Sequence, residues 1–137
     1  MQANGLALPF TDKTFDVAFS NAVIEHIIGD SARRQFIGEM LRVAKRRFVT
    51  TPNALFPIEP HSRLPIVHWL PDSRHNWITR RIGIGFISKG PGGYYDPITP
   101  GKLRGYFADS RRVRIRLGWL GMTLIAVCAD EWQSNVG

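Results

Sequence analysis

The sequence predicts an α/β chain built on a partly parallel sheet, and three observations carry that reading. An apolar run, Phe15 to Phe19, precedes a helical pattern from Asp30 to Arg46, and a second run, Phe48 to Thr51, follows it. The joins are short, so these pieces form a strand–helix–strand crossover, which implies parallel pairing. Nearer the C-terminus, Val113, Ile115 and Leu117 alternate with Arg112, Arg114 and Arg116, and Met122 to Val127 forms a last run. That pair reads as an antiparallel hairpin across the Gly118–Gly121 gap.

Each element has its own local signal. Phe15 to Phe19 lies between Asp12-Lys13-Thr14 and Ser20-Asn21, and its unbroken apolar character reads as a strand covered on both faces. In the helix, Ala32, Phe36, Ile37, Met40, Leu41 and Ala44 recur three and four residues apart and mark the buried side. Arg33, Arg34, Glu39, Arg42 and Lys45 fall on the other face. Asp30 or Ser31 can cap its start, and Lys45 and Arg46 suit the negative end of its dipole. Pro52, lacking an N–H, stops the second strand.

The rhythm breaks from Ala54 to Tyr95, where Pro57, Pro60, Pro65, Pro71 and Pro91 are spread among aromatic and aliphatic residues. This reads as an insertion over the strand ends, within a single partial domain spanning 1–137. Leu64 to Leu70 is expected to be a short amphipathic or irregular piece. Thr99 then caps a helix with Pro100 in its first turn, burying Leu103, Tyr106 and Phe107. Arginines along one hairpin strand deter edge-to-edge pairing and place it at a sheet edge.

Composition narrows the function classes. With 137 residues, 44% of them apolar, the chain is of one-domain size. Cys128 is the only cysteine, which excludes an intrachain disulfide. Met1-Gln2-Ala3-Asn4 opens no secretory signal. The longest apolar run, Leu124 to Ala129, is far short of a membrane span. The expected location is cytoplasmic, with a membrane-peripheral variant. The formal charge of +7 suggests an anionic partner. However, Arg33-Arg34, Lys45-Arg46-Arg47, Arg80-Arg81 and Arg111-Arg112 are scattered, which argues against nucleic acid and leaves an anionic membrane surface or acidic substrate.

The stretch Leu8-Pro9-Phe10 with Phe15-Asp16 following, and the loop from Ser20 to His26, resemble the middle of a class I S-adenosylmethionine (SAM)-dependent methyltransferase. Thr51-Pro52-Asn53 and Phe56-Pro57-Ile58-Glu59-Pro60-His61 resemble a subgroup with a bulky acceptor-side insertion, here 54–95. The resemblance covers nearly the whole chain. It implies a partial Rossmann-like fold, the C-terminal half only, without the glycine-rich loop that holds the cofactor's methionine end. Two expectations follow: weak SAM binding by the isolated chain, and self-association through the sheet edge that the first half would cover.

Carried over residue by residue, the resemblance puts Asn4 near the adenine amino group, where the family usually has an acid. It sets backbone groups of Gly5 and Leu6 against the ring, and Ser20, Asn21 and Ala22 along the cofactor at the end of the first strand, where open α/β sheets bind ligands. The plainer alternatives are a frayed terminus for Asn4 and a helix cap for Asn21. Methyl transfer needs a base only when the acceptor is a hydroxyl or protonated amine, and His26 is the catalytic candidate. Alternatively, His26 packs near the cofactor or caps a turn. His61, His68 and His75 show no zinc spacing, so no metal is expected. Gly83-Ile84-Gly85 and Gly85 to Lys89 match neither a dinucleotide fingerprint nor a P-loop. The implied function is methyl transfer to a small-molecule or lipid-linked acceptor; the rival is a non-catalytic, partner-binding or oligomerising fragment. In the insertion, Phe56, Ile58, Leu64, Ile66, Trp69, Trp77 and Phe86 lie among Arg63, Arg74, Arg80 and Arg81. That mixture suits a lid over a greasy acceptor, a face on anionic lipid, or a small satellite core.

Overall fold

The computed structural model describes residues 2–82, 95–107 and 113–130. Four strands, β1 (Phe15–Asn21), β2 (Ala44–Pro52), β3 (Val113–Gly118) and β4 (Thr123–Ala129), form one sheet in the spatial order β1-β2-β4-β3. Strands β1 and β2 are parallel, joined by α1 (Asp30–Val43). Strand β4 pairs antiparallel with both β2 and β3, which closes the sheet with the expected hairpin and leaves β3 at its edge. The glycine patterns at 83–89, Phe86 and Arg111-Arg112 lie outside the described residues.

Register sorts the sheet into two unequal faces. Ala18, Val49, Ala126 and Ile115 point with Leu124, Cys128 and Val113 into a core that also holds Ile37 and Met40 of α1. Leu103, from α3 (Pro100–Gly105), and the adjoining Tyr106 and Phe107 complete it. Thr99 caps α3 as expected, accepting from the Lys102 N–H. The opposite face is open among the described residues, with Val17 56% and Phe19 64% exposed. The reading of β1 as covered on both faces is thus corrected. A continuous apolar run signals two contacts but does not supply the layers that make them.

The helix also departs from the pattern. It begins after Gly29, with no side-chain cap from Asp30 or Ser31, and runs into β2 at Ala44 without a loop. Lys45 and Arg46 are therefore strand residues. Arg47, buried under the sheet, turns back and donates to the carbonyls of Met40 and Leu41 in the last turn. Lys13 adds a bond to Leu41 O at 2.9 Å. These cations meet the free carbonyls that any helix end leaves over.

The supposed outer face of α1 is largely engaged. Arg33 is fully buried: it pairs with Asp96 at 2.8 Å and donates to Ile27 O, Asp96 O and the Tyr106 hydroxyl. Glu39 accepts from Leu8 N–H, and Arg42 donates to Leu8 O and Phe10 O, fixing the turn before β1. A second helix, α2 (Asp72–Ile82), lies in the 54–95 segment and was not expected from the sequence. Pro71 followed by Asp72-Ser73 was its available signal, since such residues begin helices.

Candidate functional site

The parallel pair sets the stage for a site, because β1 and β2 both end at the same side of the sheet, where loops are free to gather side chains. Two groups assemble there. The first is an open groove of about 440 Å³ along β1, lined by Gly5 and Leu8 before the strand, Ser20 and Asn21 at its end, and Phe36 and Met40 of α1. Ser20 Oγ is buried and has no hydrogen-bond partner among the described residues. Asn21 Oδ1 accepts from the Thr50 hydroxyl. Ala22 carries a positive φ of 52° and donates its N–H to Thr50 O, so the chain turns sharply away from β1.

Of the residues assigned to the cofactor by resemblance, Gly5, Ser20 and Asn21 thus line one groove. Asn4 is exposed, with its Oδ1 accepting from Leu6 N–H at 2.9 Å. Leu6 O accepts from Gln35 at 2.8 Å. The Asn4–Leu6 turn therefore already uses both backbone groups of Leu6 within the protein.

His26 belongs to a second group. The short 3-10 turn Ile24–His26 buries Glu25, whose Oε2 accepts from the Thr51 hydroxyl at the end of β2 at 2.9 Å. Its Oε1 has no hydrogen-bond partner among the described residues and lies 4.0 Å from His26 Nε2. The 54–95 segment brings up Glu59, fully buried at the start of a tight turn. Glu59 accepts from the backbone N–H groups of His61 and Ser62, and its Oε1 lies 2.8 Å from His61 Nδ1. Burial opposes the charge on Glu59, but hydrogen bonds from His61 and Ser62 outweigh it and hold its carboxyl down to about 2.

Tyr95 packs beside the two histidines. Its ring lies 4.6 Å from that of His61 and 6.4 Å from that of His26, and the two imidazoles are 5.8 Å apart. Burial, and then the negative fields of Glu59, Glu25 and Asp96, push its hydroxyl well above the ordinary phenol range, so it stays neutral. Asp96 N–H donates to Glu25 O, and Asp96 pairs with Arg33. Sequence reasoning pointed to His26 but missed Glu59, His61 and Tyr95 as its neighbours. The acid two residues before His61 was the visible signal. Among the described residues no cluster of His, Cys, Asp and Glu has the form of a metal site.

Parallel strands closed by an antiparallel hairpin define a partial Rossmann-like fold of the class I methyltransferase type. Residues 1–47, which take in β1, α1 and the start of β2, match the methyltransferase domain family model. Among solved structures, the chain is similar to a SAM-dependent methyltransferase from Methanosarcina mazei, with a TM-score of 0.55 and 19% identity over 93% of this chain. The chain spans 65% of the length of that protein. No curated protein matches it. The family match thus rests on the first 47 residues, and beyond them the likeness is one of fold.

Proposed function

We propose that the chain serves a SAM-dependent methyltransferase that acts on a small-molecule or lipid-linked acceptor. The observation that carries this reading is the groove in which Gly5, Ser20 and Asn21 meet, inside the segment that matches the family. Its donor set fits the cofactor: Leu8 and Phe36 offer apolar walls to a flat ring, and Ser20 Oγ is a buried polar atom in want of a partner. SAM supplies an electrophilic sulfonium methyl, so the protein's work is alignment and proton handling. Gly5, Ser20 and Asn21 would hold it, with Asn4, Leu6 and Ala22 as their chain neighbours. His26, beside the insertion, would face the acceptor. Exposed Leu55, Ile58, Ile66 and Trp69 in that insertion suit an apolar or lipid-linked acceptor.

The test is a titration of the chain with S-adenosylhomocysteine followed by amide NMR. Shifts should concentrate at Gly5, Ser20, Asn21 and Ala22, with a dissociation constant weaker than about 1 μM, or roughly −8 kcal/mol. No shifts up to millimolar ligand, or shifts confined to α2, would overturn the cofactor reading.

A second reading has an observation of its own. Val17 and Phe19 lie on the open face of the sheet, and β1 pairs on one side only among the described residues. An apolar face beside an unpaired edge favours association, which suits a partner-binding or oligomerising module. Sedimentation should then show dimers or larger species. A monodisperse monomer at all concentrations would count against this module.

A further inference from the structure

The two histidines of the insertion-side cluster are not equally placed. His61 has the fully buried Glu59 carboxylate 2.8 Å from Nδ1, whereas the Glu25 carboxylate lies 4.0 Å from His26 Nε2. Glu59 is itself held on several sides. It accepts two backbone N–H bonds, its own N–H donates to Leu64 O, and its carbonyl accepts from Arg63 N–H. An ionised carboxylate can only accept, so the imidazole atom facing it carries the proton. That leaves Nε2 of a neutral His61 with its lone pair free, and Nε2 makes no hydrogen bond among the described residues. The side chain is 28% exposed, so solvent and ligands reach the ring. Tyr95 packs edge-on against it and restricts its rotation.

From this geometry we propose that Glu59 and His61 form a proton-accepting dyad for a hydroxyl-bearing methyl acceptor, with His61 as the base and Glu59 as its positioning residue. The proposal rests on the methyltransferase reading and deepens it, since it names the acceptor's reacting group. The proton passes from the acceptor's O–H to His61 Nε2, and the bonding pair stays on oxygen, which becomes the nucleophile. The imidazolium is stabilised by the Glu59 carboxylate and returns the proton to solvent. Carboxylate, imidazole and substrate in that order is the arrangement by which a buried acid fixes both tautomer and direction. His26 and Tyr95 flank the His61 ring, and the charges of Glu25 and Asp96 bear on Tyr95.

Two measurements decide it. Nitrogen-15 NMR of the histidine side chains at mildly alkaline pH should find His61 as the Nδ1–H tautomer in the wild-type chain, with that preference reduced in Glu59→Gln. An Nε2–H tautomer in the wild type would overturn the dyad whatever the activity. The second compares methyl transfer from SAM to phenol and to para-nitrophenol, of which only the latter is already ionised at that pH. His61→Asn should slow transfer to phenol by about 10²-fold or more and leave para-nitrophenol nearly unchanged. Equal loss on both, or on neither, would overturn the base role. No transfer to either phenol by the wild type would count against the proposed function, and the tautomer would then decide the dyad alone.

Discussion

Replacing Asp96 with Ala is expected to destabilise the chain by about 3 kcal/mol, because it strands the charge of a fully buried Arg33. Asp30 Oδ1, 4.0 Å from the guanidinium, is a weak substitute since it already accepts from the Tyr106 hydroxyl. The complementary change Arg33→Met should cost less, because Asp96 is 38% exposed and water can take over its carboxylate. It still leaves the Ile27 and Asp96 carbonyls without a donor. The double variant should therefore be more stable than Asp96→Ala alone, since no charge is then left buried. Urea unfolding of the three variants measures this. If Asp96→Ala stays within about 1 kcal/mol of wild type, this account of Arg33 fails. The pair also anchors the site: Asp96 N–H holds the turn carrying Glu25 and His26, so the same variant should move their resonances.

Glu59 gives the second large effect, and its direction follows from linkage. Its folded value, about 2, lies below the ordinary 4.5. A group lowered on folding adds stability above its unfolded value and loses it as pH falls through the folded one. The contribution, about 3 kcal/mol when complete, is thus present at neutral pH and disappears between about 4.5 and about 2. Glu59→Gln should be destabilised at neutral pH and less sensitive to acid. Denaturation curves for both proteins across the acid range will show whether the gap between them narrows as pH falls. A gap of constant size would mean that the carboxylate's charge does not stabilise the turn.

Much of the fold was legible because its signals are local. The three- and four-residue spacing of Phe36, Ile37 and Met40 marks the inner side of α1 whatever surrounds it, and the alternation at Val113 and Ile115 marks a strand at the sheet's rim. Thr99-Pro100 announces α3 because a hydroxyl cap and a proline without an N–H both suit the first turn. Ser20 and Asn21 could be placed at the end of β1 because strand ends are local too.

Tertiary structure decided what these signals cannot reach. Arg33 sits at a helical position that reads as solvent-facing, and only the arrival of Asp96 and Tyr106, more than sixty residues later, makes a buried site for its charge. Glu39 and Arg42 follow the same logic, with the Leu8–Phe10 turn as their partner. His61 reads from the sequence as one histidine in a proline-rich stretch. The carboxylate of Glu59 orients it, and Tyr95 and His26 are brought beside it from distant segments. The open face of β1 is the reverse case, an apolar run that is legible as buried while no described layer covers it. Periodicity reports which side of an element is apolar. The partner of a charge or a ring depends on which distant segment reaches it, and that is set by the packing of the whole chain.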